Sequence, residues 1–198
     1  MHLTRYWGIG ILACVACFTA SAAMAQDKAG PPAAVQSCEG CHGPGGDSKV
    51  TTTPRLNGQQ AGYITSRLKV LATATSSQHA QTGMFKTLPA QNDIAKIAQY
   101  FAGQSPTSPK PGARAADGKL IYEKGQAADN VIACSQCHGA NGEGHDTTPR
   151  IAGQHGDYLK AQIRLFSMKF REHVLMHPNT KTMRADTVEA LIAYLAND

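Results

Sequence analysis

Apolar residues recur along the chain at helical spacing. Tyr63, Ile64, Leu68 and Leu71 form one stripe, and Ile94, Ile97, Ala98 and Phe101 form a second. Two more follow, at Tyr158, Leu159, Gln162, Ile163 and Phe166 and at Val188, Leu191, Ile192 and Leu195. Steps of three and four place each set on one face of an α-helix. Asp117 to Glu123 reads as a further helix. A matching helix earlier in the chain is poor, because Pro31 and Pro32 leave only Ala33 to Ser37 for it. No alternation of apolar and polar positions, the mark of a half-buried strand, stands out. The pattern predicts an all-α protein.

The stripes come in pairs because the chain repeats itself. Cys38 and Cys134 are 96 positions apart, and Thr53-Pro54-Arg55 and Thr148-Pro149-Arg150 are 95 apart. Tyr100-Phe101 and Tyr194-Leu195 follow at a separation of 94. Self-similarity at one long period argues for two copies of one domain. Between the copies runs Ser105-Pro106-Thr107-Ser108-Pro109-Lys110-Pro111-Gly112, which reads as a semi-rigid linker. The expected division is 26–104, a linker over 105–112, and 113–198. Domains of this size have marginal hydrophobic cores and gain from an added staple.

The first 25 residues carry a different pattern. Arg5, the apolar run Ile9 to Ala16 and then Ala23-Met24-Ala25 read as a secretory signal peptide, with cleavage before Gln26. The apolar run is too short to span a bilayer, and Leu12 fits a lipoprotein processing site at Cys14 poorly. This predicts export to the periplasm with at most peripheral membrane association. Net charge is +5, and it becomes +4 without the leader because Arg5 is the leader's one charged residue. Nothing in that balance indicates a nucleic-acid partner, although a local basic rim could dock an acidic protein.

The repeated cysteines carry the candidate chemistry. Cys38-Glu39-Gly40-Cys41-His42 and Cys134-Ser135-Gln136-Cys137-His138 are both C-x-x-C-H, the pattern of covalent c-type haem attachment. Two thiols three positions apart can each form a thioether to one porphyrin, and the adjoining histidine is placed to bind its iron. A zinc site would want a second cysteine pair close by or a paired histidine motif. A redox dithiol needs no histidine. Of the six cysteines, Cys14 and Cys17 lie in the leader, so the remaining four all belong to the two motifs. Two haem c groups are therefore expected, with no cysteine left as disulfide partner, nucleophile or axial ligand.

The occupant of the sixth iron position separates electron transfer from catalysis. Met84 is the candidate in the first half. The second offers Met183, favoured by the likeness of His177-Pro178-Asn179-Thr180-Lys181-Thr182-Met183 to His79-Ala80-Gln81-Thr82-Gly83-Met84. Met176 competes because its distance to Tyr194 better matches that of Met84 to Tyr100, and His177 is a third candidate. Met168 is expected inside a helix, in the core. His79, His145, His155 and His173 read as solvated or locally hydrogen-bonded. Arg55 and Arg150 are candidate partners of haem propionates. The carbonyls of Pro54 and Pro149 can accept from the other ring nitrogen of His42 and His138.

With these residues the chain resembles the dihaem class I cytochromes c of the cytochrome c4 family. The resemblance rests on two C-x-x-C-H-G motifs, two T-P-R-x-x-G-Q segments, a methionine loop in each half and a closing Y-[FL] helix. It implies two tandem helical domains, each wrapped around a haem, with ligands His42 and Met84 in one and His138 and Met183 in the other. It also implies electron delivery from a membrane quinol-oxidising complex to a terminal oxidase or reductase. An alternative makes the chain the dihaem subunit of an oxidoreductase, such as a sulfide-oxidising flavocytochrome. A third reading, a dihaem peroxidase or thiosulfate-oxidising enzyme, would need a haem without a strong distal methionine.

Overall fold

The computed structural model of the protein describes residues 2, 32–73, 90 and 93–197. The rest of the leader, His79 and Met84 lie outside them. The described residues are helical, with isolated bridges such as Gln154 to Ala196 and no regular strand. Among them no helix is long and apolar enough to cross a membrane.

Helix α1 spans Ala33–His42, α2 Ala61–Thr73 and α3 Ile94–Ala102. The short first helix expected from the sequence instead runs unbroken through the cysteine motif. Pro32 stands just before it, where a missing N–H is harmless. Gly43 ends it at φ 78°, and a Cβ there would lie 2.7 Å from the carbonyl oxygen of Asp47. Val35, Ile64, Leu68, Ile94, Ile97, Ala98 and Phe101 form one buried cluster, joined at its edge by Cys38, Leu56 and Tyr100.

The second half contains α4 (Ala115–Lys124), α5 (Ser135–His138), α6 (Gly156–Ser167), α7 (Met176–Thr180) and α8 (Ala185–Leu195). Its cluster comprises Ile121, Tyr122, Leu159, Ala190, Leu191, Ile192, Leu195 and Ala196. Helices α4 and α8 approach so closely that a Cβ on Gly118 would fall 1.9 Å from the carbonyl oxygen of Ala190. Each half thus has its own buried cluster. Met168 departs from expectation. Helix α6 ends at Ser167, and Met168 lies beyond it with half its surface exposed.

The proline-rich segment 105–112 has no helix, yet it is tied to both halves. Asn57 Nδ2 donates to the Ser105 carbonyl at 2.9 Å, and Arg150 Nη2 reaches that of Thr107 at 3.4 Å. Further along, the amides of Lys110 and Gly112 each donate at 2.8 Å, to the carbonyls of Ala196 and Ala193. The segment is a strap laid across the seam.

Candidate haem-binding sites

Each C-x-x-C-H motif lies where a helix ends, and a proline carbonyl faces its histidine. The Nδ1 of His42 lies 2.7 Å from the Pro54 carbonyl oxygen, and that of His138 lies 3.0 Å from the Pro149 oxygen. With Nδ1–H donating there, Nε2 keeps the lone pair, which is the tautomer an iron requires. Burial pushes both imidazoles below the ordinary histidine range, against the partial upward pull of the carbonyls. They are therefore neutral at pH 7 and ready to donate. The thiols of Cys38, Cys41, Cys134 and Cys137 are not joined in disulfides. Desolvation raises the Cys38 thiol and pushes that of Cys134 up to about 11, so neither is an activated nucleophile. Two thiols and one neutral imidazole per half are a donor set that fits a covalently held haem.

The repeated T-P-R-x-x-G-Q segment has a second role that the sequence alone does not reveal. The Gln154 side chain accepts from the Arg55 amide at 2.8 Å and donates to the Arg55 carbonyl at 3.0 Å. Gln59 does the same to Arg150, at 2.7 and 2.9 Å. Each half therefore grips the backbone of the other beside the proline that faces its histidine. The neighbouring residues continue the exchange. Gln60 Nε2 donates to the Glu143 carbonyl at 2.9 Å, and His155 Nε2 lies 2.9 Å from that of Ser48. His155 is 2 % exposed, so it is neither solvated nor locally bonded as expected. His145 is exposed beside Asp146, and His173 Nδ1 accepts from the amides of Leu175 and Met176, both local arrangements.

Arg55 and Arg150 line one small polar pocket on this seam, together with Asn57, Thr107 and the two glutamines. Arg55 Nη1 donates to the carbonyls of Gly153 and Asn197, each at 2.8 Å, and its Nε pairs with Asp47 at 3.3 Å. Its guanidinium is thus largely occupied by protein acceptors, whereas that of Arg150 bonds only the Thr107 carbonyl among the described residues. A second seam cluster escaped the sequence reading. Arg171 Nη2 donates to Tyr63 Oη at 2.8 Å, and the guanidinium carbon stands 4.5 Å from the Phe166 ring centroid. Tyr158, the repeat partner of Tyr63, shares this cluster, and burial chiefly pushes its hydroxyl up to about 12.

The candidate distal residues fall in distinct settings. Met183 is partly buried against the second-half cluster, at the N′ position of α8, with Val188 at N4 on the same cluster. Those are the positions of a hydrophobic staple. Met176 opens α7, is half-buried, and belongs to neither apolar cluster of the described residues. His177 Nδ1 lies 2.9 Å from the Phe166 carbonyl oxygen.

The family model for cytochrome c matches residues 115–197. Cytochrome c4 of Pseudomonas aeruginosa is 30% identical over 184 residues, spanning 90% of this chain and 86% of the relative. The chain belongs to the cytochrome c4 family. The solved cytochrome c4 structure of Acidithiobacillus ferrooxidans has a TM-score of 0.72 at 30% identity, covering 80% of this chain and 96% of that one. A thiosulfate dehydrogenase electron acceptor from Thiomonas intermedia is 32% identical, over 88% of this chain and 84% of the relative. As a cytochrome c4, the protein is a dihaem electron-transfer protein of class I fold with covalently bound haem c. It needs redox partners to act.

Proposed function

We propose that the protein is a periplasmic carrier that moves single electrons from a membrane quinol-oxidising complex to a terminal oxidase or reductase. Residues 26–104 and 113–198 form its two haem domains. Cys38 and Cys41 attach one haem, and Cys134 and Cys137 the other. His42 and His138 are the proximal ligands. Each haem supplies an iron that exchanges one electron between ferric and ferrous states. The chain's own contribution is to orient the imidazoles, through the Pro54 and Pro149 carbonyls, and to hold the two halves in one register. The observation that carries this reading is the reciprocal bonding of Gln59 and Gln154 across the seam, next to both histidine–proline contacts. Such a seam fixes two redox centres relative to each other, as transfer between them requires.

Met84 is the proposed distal ligand of the first haem. For the second we favour Met176 over Met183, because Met183 already occupies a staple position on α8. His177 is less suited, since its Nδ1 is engaged by Phe166. Arg150, with the more open guanidinium, is the better propionate partner, and Arg55 the lesser. The test is the iron–methionine charge-transfer band of the oxidised protein. Met176→Ala should remove about half of it and Met183→Ala should leave it, since one of two haems is affected. The reverse result returns the ligand to Met183. Loss in neither variant would contradict methionine ligation in this half.

A second reading is favoured by the thiosulfate dehydrogenase electron acceptor among the relatives. Here the chain takes electrons directly from a sulfur-compound dehydrogenase, as its acceptor or its dihaem subunit. Copurification with such an enzyme, and reduction by it without a membrane fraction, would select this reading.

A further inference from the structure

We propose that Asp129 is a positioning residue for the second haem, anchoring the strap 176–187 that carries its methionine to the turn that leads into Cys134. The proposal rests on the reading that a methionine of this strap is the distal ligand, and it holds for Met176 and Met183 alike. Asp129 lies between α4 and α5, five residues before Cys134, and is 2 % exposed. A carboxylate withdrawn from water is costly unless its oxygens are bonded. Here Oδ2 accepts from Thr187 Oγ1 at 2.5 Å and from the Arg184 amide at 3.1 Å. Oδ1 accepts no hydrogen bond among the described residues and is met instead by the charge of Arg184, whose Nη1 stands 3.2 Å away. The backbone carbonyl of the same aspartate accepts from Thr182 Oγ1. Three residues further on, the Ile132 amide donates to Asn179 Oδ1 at 3.2 Å.

One short turn therefore reaches the strap at Asn179, Thr182, Arg184 and Thr187, on both sides of Met183 and three residues beyond Met176. The same turn continues into the haem-attachment motif. Proximal attachment and distal strap share one anchor, so the methionine is held near its place before it binds. Pre-ordering of this kind strengthens a weak ligand by removing the entropy that binding would otherwise cost. The first half lacks this carboxylate. Its repeat partner for Asp129 is Ala33, and Asp93 stands where Thr187 does.

Imidazole added to the ferric holoprotein competes with the methionine and reports how firmly it is held. Asp129→Asn should tighten imidazole binding at one haem about 10-fold, the scale of supporting-residue losses at metal sites, and leave the other unchanged. The shifted phase should be the one abolished as a competition by Met176→Ala or Met183→Ala. Thr187→Val removes a single bond and should give a smaller shift of the same phase. Asp186→Ala serves as control, because that exposed carboxylate pairs with Arg184 Nε at 3.3 Å, whereas Asp129 is met by Nη1 and the backbone amide. Unchanged binding in both Asp129→Asn and Thr187→Val would overturn the proposal, as would equal loosening of both haems. Failure of the ligand reading is distinguishable: neither methionine variant would then alter the charge-transfer band.

Discussion

The two halves use the same attachment motif on different supports. In the first, α1 carries Cys38, Cys41 and His42 on one ten-residue helix. Tyr100 Oη donates to Glu39 within that motif at 2.8 Å. In the second, α5 holds only four residues, and the preceding chain folds into the turn that contains Asp129. Tyr194, the repeat partner of Tyr100, instead meets the Tyr122 ring at a centroid distance of 5.4 Å. The Tyr122 hydroxyl donates to the Gly139 carbonyl at 2.5 Å. The seam shows the same divergence within a shared plan, since Gln60 and His155 occupy matched positions and both donate to a carbonyl of the other half. Duplicated sites thus keep the histidine–proline contacts and the contacts with each other, while the outer scaffold drifts.

The largest test of that difference is Gly118→Ala. Its Cβ would collide with the Ala190 carbonyl and with Tyr194, so α4 and α8 must separate. Overpacking at such a site costs about 3 kcal/mol. Thermal melts followed at each haem should show the second site destabilised far more than the first. Equal loss at both would mean that the halves melt as one unit.

Removing the reciprocal grip comes next. Gln59→Ala and Gln154→Ala should each cost about 1 kcal/mol, because each leaves a part-buried amide and carbonyl without its partner. The symmetry predicts similar losses in the two single variants. It also predicts a titration of the double variant in which the haems behave independently. A large loss in only one would break the equivalence of the halves.

A smaller effect concerns acid. The Thr187 hydroxyl and then the Arg184 amide hold Asp129 below the ordinary carboxylate range, and Lys49 does so for Asp47 on the seam. Groups depressed on folding contribute stability that is full above their unfolded pKa, about 3.9, and that fades as pH falls through the lower folded value. The oxidised protein should therefore hold its charge-transfer band down to about pH 4 and lose it below. Asp129→Asn should reduce that pH dependence for the second haem. A band that strengthens on acidification would contradict the assignment.

Much of this was legible in the chain. Stripes such as Ile94, Ile97, Ala98 and Phe101 became buried helix faces because helical period alone decides which residues face inward. The haem motifs were legible because covalent attachment needs fixed local spacing. What escaped depends on partners distant in sequence. Gln59 and Gln154 bond the backbone of the opposite half, and backbone leaves no residue signature. Asp129 meets residues more than fifty positions away, and the burial of His155 is created by the seam itself. Met168 was misjudged because α6 stops one residue before it, with no proline or glycine there to announce the end.

The most direct measurement is a potentiometric titration of the purified oxidised protein, with optical spectra recorded at each step. Two one-electron transitions at positive potential, from two low-spin haems that each show the iron–methionine band, are the predicted result. A haem that is high-spin, or that titrates at negative potential without the methionine signature, would contradict an electron carrier built from two closed sites.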